Sequence, residues 1–213
     1  MEISFLGRFC FLVKDKSLGV FFDPHDLALL KKSGFLSLES GILAYSRGEW
    51  GQEFVKRGEE TGEELLLVAG PGDYEKKGVE IRGWFSGTGK GKNSVYLLRM
   101  GGIRLLNLGK VELPFSEKII EEVGVVDVLF LPLGGEGTGL GVKEAVKFIS
   151  LFSPQIVIPM NFEEEGDEET KGLVRMEEFL KEIDAPGLKP VEKLLVRSGE
   201  LPEERQIVWL KRH

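Results

Sequence analysis

Histidine is nearly missing from this chain. Of 213 residues only two are His, His25 and His213, and only one is Cys, Cys10. A zinc centre takes three or four ligands, mostly imidazole and thiolate. Candidates scattered over positions 10, 25 and 213 are a poor supply. A single cysteine also excludes an internal disulfide, which fits a reducing compartment. No apolar run approaches the roughly 18 residues of a membrane span. The opening MEISFLGRFCFLV has an acid at position 2 and a Gly-Arg break, unlike a secretory leader. The expectation is a soluble, cytoplasmic protein. Positive charge is short as well: 28 Lys and Arg stand against 35 Asp and Glu, a net charge of −7. That balance argues against nucleic-acid partners, which need cations to displace phosphate counterions. Part of the acidic excess is the run EEEGDEE at 163–169, read as a solvated loop or helix start.

What is present is one domain's worth of core. The hydrophobic content is 42%, and no linker or repeat divides residues 1–213. The first half reads as short strands: EISFLG, FCFLVKD and LGVFFDP. A short helix, DLALLKKSG, follows and stops at Gly34. GILAY and ELLLVAG are continuous apolar runs, the pattern of strands buried on both faces. SVYLLRM and IRLLNL flank Gly101-Gly102, which suits a two-residue hairpin. GQEFVKRG is read as one or two helical turns. The second half alternates helix and strand: SEKIIEEVG, VDVLFLPL, VKEAVKFISLF, QIVIPM, then KGLVRMEEFLKEI and the strands VEKLLVR and QIVWLKR. Val142, Ala145, Val146 and Ile149 put an apolar stripe on one helix, as do Leu173, Met176, Leu180 and Ile183 on the next. This is sheet covered by helices, an α/β (α+β) class.

Several loops invite a chemical reading beside a plainer one. LPLGGEGTGLG (131–141) and GTGKGKN (87–93) match no nucleotide-binding glycine pattern and read as a tight turn and a surface loop. Pro71-Gly72 fits the centre of a type II turn. Asp73 and Glu75 are paired carboxylates or backbone caps, and Asp23 before Pro24 is a turn former or a site acid. Three apolar strands each run into a polar cluster: Ser46–Glu49 in AYSRGEWG, Asn107–Lys110 in RLLNLGK, and Asn161 in IPMNF. Ligands gather at strand C-termini in such sheets, and these clusters could share an edge.

In their order, the segments ISFLGRFCFLV, VFFDP, ILAYSRGEWG, AGPGDYEKKGVEIRG, NSVYLLRMGGIRLLNLGK, VDVLFLPLGGEGTGLGVKEAVKFI and PQIVIPMNF resemble the metallo-β-lactamase fold. The branch they resemble is that of predicted zinc-dependent hydrolases related to ascorbate-6-phosphate lactonase. The resemblance runs from residue 3 to about residue 162. It implies a four-layer αββα sandwich with a metal-hydrolase cleft at one edge. The family's T-H-x-H-x-D-H, however, falls on Tyr45, Ser46, Arg47, Gly48, Glu49, Trp50 and Gly51. Its H-x-G-D falls on Asn107, Leu108, Gly109 and Lys110, its I-P-M-H on Ile158 to Asn161, and its G-H-x-C-F on Gly7 to Phe11, with Arg8 for histidine. A further family histidine falls near Phe85.

Asn and Ser bind zinc poorly, Gly offers no side chain, and Lys110 puts a positive charge where a bridging carboxylate stood. The expectation is therefore a scaffold without zinc and without a cofactor, degenerate in its metal motif. Arg8, Asp23, Ser46, Arg47, Gly48, Glu49, Trp50, Gly51, Asn107, Lys110 and Asn161 border the former cleft. Its cations and amides suit a small anionic ligand. The other reading is a phosphoester or lactone hydrolase on a repurposed site. There Asp23, Glu49, Asp73 or Glu112 would act as acid, base or hard-metal ligand. Oligomeric state is open.

Overall fold

The computed structural model describes residues 1–38, 40–47, 65–86, 93–111, 113–135 and 137–213. Two sheets pack face to face. The first has six strands in the order β12-β1-β2-β3-β4-β5, and the second has seven in the order β13-β11-β10-β9-β8-β7-β6. In the first sheet β1 is Glu2–Gly7, β2 Cys10–Asp15, β3 Leu18–Phe22, β4 Ser40–Ala44, β5 Leu65–Val68 and β12 Leu194–Leu195. In the second, β6 is Gly72–Lys76, β7 Val79–Ser86, β8 Asn93–Met100, β9 Ile103–Asn107, β10 Val128–Pro132, β11 Ile156–Met160 and β13 Gln206–Ile207. The helices are α1 (Leu27–Lys32), α2 (Glu117–Val123), α3 (Val142–Phe152) and α4 (Met176–Glu182), with a 3₁₀ turn at Phe35–Ser37.

Period-two alternation explains the layering. Along β2 and β3, Phe11, Val13, Val20 and Phe22 enter the core between the sheets, while Leu12 and Phe21 point the other way. The outer set joins Leu6, Cys10, Leu43 and Tyr45 under Phe35, Leu29 and Leu38 of the α1 region. Between the sheets Phe11 stacks on Phe130 with centroids 4.0 Å apart, and Phe22 meets Phe130 edge-on at 6.1 Å. Ile119, Ala145, Phe148, Phe152 and Phe179 close the far side of the second sheet. The expected αββα sandwich is what forms, and GILAY is buried on both faces as its composition demands. No helix among the described residues is long and apolar enough to cross a membrane.

Three local expectations need correction. Gly72 is not the centre of a type II turn, which needs φ near about +80°. Its φ is 145°, and it opens β6 opposite Gly83. The last helix starts at Met176, five residues later than the predicted segment, which opens at Lys171. The N–H of Glu163 donates to the carbonyl of Val174, so the segment before the helix is tied to the loop after β11 instead. The closing strands are short: two residues each in β12 and β13, extended by the isolated bridges Val191–Leu210 and Phe5–Arg212. GQEFVKRG and most of GTGKGKN lie outside the described residues.

Candidate functional site

The parallel strands β3 and β4, and separately β9, β10 and β11, deliver their C-terminal ends to one edge of the sandwich. The edge is built from residues just past those ends. Asp23 follows β3 with a left-handed φ of 45°. Its backbone N–H donates to the carbonyl of Ala44 at 2.8 Å, which aims its side chain at the turn after β4. There Oδ1 accepts the backbone N–H of Ser46 at 2.7 Å and its hydroxyl at 3.0 Å. Asp23 is therefore no local turn former; it bridges two strand ends. Its carboxyl is buried, and Oδ2 has no hydrogen-bond partner among the described residues. Burial pushes its pKa up to about 7, against the opposing pull of Ser46's two donors and the Arg47 charge.

Behind Ser46 sits the loop after β9. The carbonyl of Ser46 accepts the N–H of Ser94 at 2.7 Å. Gly109 lies so close that a Cβ would fall 2.5 Å from Ser46 Cβ and 2.6 Å from Asn93 Oδ1. Asn93 fixes this loop: Oδ1 accepts the Lys110 N–H at 2.7 Å, and Nδ2 donates to Ser86 Oγ and the Leu108 carbonyl. Asn107 Oδ1 accepts the Gly109 N–H at 2.9 Å. That bond orients the amide and leaves Nδ2 buried without an acceptor among the described residues. On the far side, Asn161 takes a φ of 52° and its N–H donates to the Arg8 carbonyl at 2.9 Å. Asn161 Nδ2 donates to the Thr138 carbonyl at 2.7 Å. Arg8 itself pairs with Glu169 at 2.9 Å, while its Nε is buried without an acceptor among the described residues.

Of the sequence-predicted residues, the structure joins Asp23 to Ser46 and Arg8 to Asn161, and sets Lys110 on Asn93. Asp73 is elsewhere, on the edge strand β6, facing Arg82 at 3.4 Å. Gly48, Glu49, Trp50, Gly51 and Glu112 lie outside the described residues. Sequence reasoning missed Asn93, although a polar residue opening an eight-residue apolar strand was a visible signal. The acidic run 163–169 is a loop, as its composition suggested, and it also supplies counterions to Arg8 (Glu169), Arg175 (Glu163) and Arg212 (Asp167).

A zinc ion wants lone pairs directed at it. Here the Asn107 oxygen accepts a backbone N–H, the amide's N–H₂ rather than a lone pair is left unused, and Asp23 already accepts twice from Ser46. No group of three metal-ligating side chains occurs among the described residues. These residues do not fit zinc.

Residues 2–161 match the family model described as "Beta-lactamase superfamily domain". The chain is 24% identical over 193 residues to a metal-dependent hydrolase of Carboxydothermus hydrogenoformans, covering 76% of this chain and 84% of that one. It is 26% identical over 192 residues to a metal-dependent hydrolase of Pyrococcus furiosus, again covering 76% and 84%. A crystal structure from Thermotoga maritima assigned to the metallo-beta-lactamase superfamily superposes with a TM-score of 0.75 at 23% identity, covering 100% of this chain and 99% of that one. With its fold and three quarters of its length matched, the chain belongs to the beta-lactamase superfamily.

Proposed function

We propose that this member of the superfamily does not carry out zinc hydrolysis and that its strand-end cleft binds a small oxyanion, a phosphate or a carboxylate. The observation that carries this reading is the orientation of Asn107. At a position where the resemblance puts a histidine, it holds a buried N–H donor that has no acceptor among the described residues. A buried donor without an acceptor is costly, and an oxyanion supplies the missing partner. Arg8 Nε, also buried without an acceptor, adds a second donor on the same edge. The test has two arms. Protein purified from zinc-supplemented culture is assayed for metal, and its melting temperature is followed against phosphate and simple carboxylates. The expected result is zinc well below one ion per chain and an anion-dependent rise in melting temperature that Asn107→Leu removes. Stoichiometric zinc sinks the first half; no shift with any anion sinks the second.

A second reading, hydrolysis of a phosphoester or lactone on a non-zinc site, draws support from Asp23. Its pKa of about 7 suits proton transfer near neutral pH, and Ser46 Oγ lies 3.0 Å away. The relatives' names as metal-dependent hydrolases point the same way. Turnover of a phosphoester and lactone panel with added Mg²⁺ or Mn²⁺, lost in Asp23→Asn, would favour it. No turnover on the panel removes it.

A further inference from the structure

The largest of the described cavities, about 760 Å³, lies between the loop after β11 and residues 209–212. That volume is typical of a small-molecule site. Its floor is apolar. Phe162 is buried there, and Trp209, only partly buried, meets it edge-on with centroids 6.4 Å apart. An aromatic floor of this kind attracts organic cations.

The walls carry both signs of charge, but the cations are already engaged. Arg175 Nε is 3.2 Å from Glu163 and Arg212 Nη1 is 2.5 Å from Asp167, both within the cavity wall. Lys211 Nζ is 3.1 Å from Glu192. Glu164, Glu165 and Glu177 also line the cavity and form no ion pair among the described residues. Glu164 is the most constrained of the three. It is half-buried, with the Arg212 charge nearby, and its Oε1 has no hydrogen-bond partner among the described residues. A partly buried carboxylate with an unsatisfied oxygen beside an aromatic floor suits a positively charged N–H donor with an apolar body. An anion would meet uncompensated acids, and a bare metal ion would leave the aromatic floor unused.

We propose that this cavity binds a small linear polyamine, with its methylenes on Trp209 and Phe162 and its ammonium groups at Glu164, Glu165 and Glu177. The site is separate from the oxyanion cleft, and neither proposal depends on the other.

Calorimetric titration of the full chain with spermidine at low salt tests it. Saturable 1:1 binding is expected, weaker for putrescine, which has one ammonium group fewer. The triple variant Glu164→Gln/Glu165→Gln/Glu177→Gln should weaken binding about tenfold or more, given the modest strength of each partly exposed pair. Trp209→Leu should weaken it as well, and circular dichroism checks that each variant folds. The control Glu117→Gln/Glu121→Gln/Glu203→Gln removes three exposed carboxylates that do not line the cavity, and it should leave affinity unchanged. The proposal is overturned if spermidine gives no saturable heat, or if the folded Trp209→Leu protein binds as well as the parent. It is equally overturned if the control triple loses as much as the cavity triple, because the acidic surface as a whole would then be attracting the polycation.

Discussion

Asp23 carries its carboxyl into a place where ionisation is expensive. Two donors from Ser46 hold one oxygen, yet burial outweighs them and lifts the pKa from 3.8 to about 7. The consequence for stability has a definite sign. Between those two values the native state keeps a proton that the unfolded chain has released, so stability falls as pH rises, by about 1.4 kcal/mol per unit. The fall is complete above the folded pKa. Asp23→Asn keeps an oxygen for Ser46 and cannot ionise. Relative to the parent it should therefore gain about 2–3 kcal/mol in going from pH 5 to pH 7.5, measured by urea denaturation. An unchanged difference between the two pH values would mean that Asp23 titrates normally. Aspartate before proline was visible in the sequence, but its partner was not. That partner lies 23 residues on and arrives only through the parallel pairing of β3 with β4.

At the scale of elements, the edge depends on how closely two loops approach. Gly109 has a φ of 55° and no room for a Cβ against Ser46 and Asn93. Gly78, in the β6–β7 turn, has a φ of 79° with nothing within 4 Å. Alanine at Gly78 should cost only the left-handed strain, about 1 kcal/mol. At Gly109 the clash adds to the strain, and the loss should be about 2–4 kcal/mol, because the neighbours are a buried serine and an asparagine already engaged in three hydrogen bonds. Equal losses in chemical denaturation would show that the two loops are not packed as described. Elements with strong local signals were legible: the Gly101-Gly102 hairpin forms, both glycines at positive φ, and α3 spans its whole predicted segment. Residues 171–175 were not, because their helical pattern yields to pairing with the loop after β11. The same holds for the polar strand ends. Their positions were readable as an edge, but the orientation of the Asn107 amide depends on one backbone N–H two residues later.

For the molecule as a whole, the family match ends at residue 161, yet the remaining chain is part of the same body. Its strand β12 pairs with β1 in one sheet, and β13 pairs with β11 in the other. The N–H of Val208 donates to Val157, and that of His213 to Phe5, so one short segment fastens both sheets. Leu210 is its anchor: 1% exposed, within the core shared by the two sheets. A separately folded tail would lose Leu210 without disturbing the rest. A fastener cannot, since the cavity left by truncation opens into the common core. Leu210→Ala should therefore lower global stability by about 2–4 kcal/mol while leaving a single transition with an unchanged denaturant slope. Two separated transitions, or a loss below about 0.5 kcal/mol, would instead mark residues 191–213 as an appendage and break the expectation of one domain over 1–213. The polyamine cavity makes the same demand. Phe162 lies just beyond the end of the family match and Trp209 near the chain's C-terminus, so the floor they form exists only if the C-terminal segment is held in place.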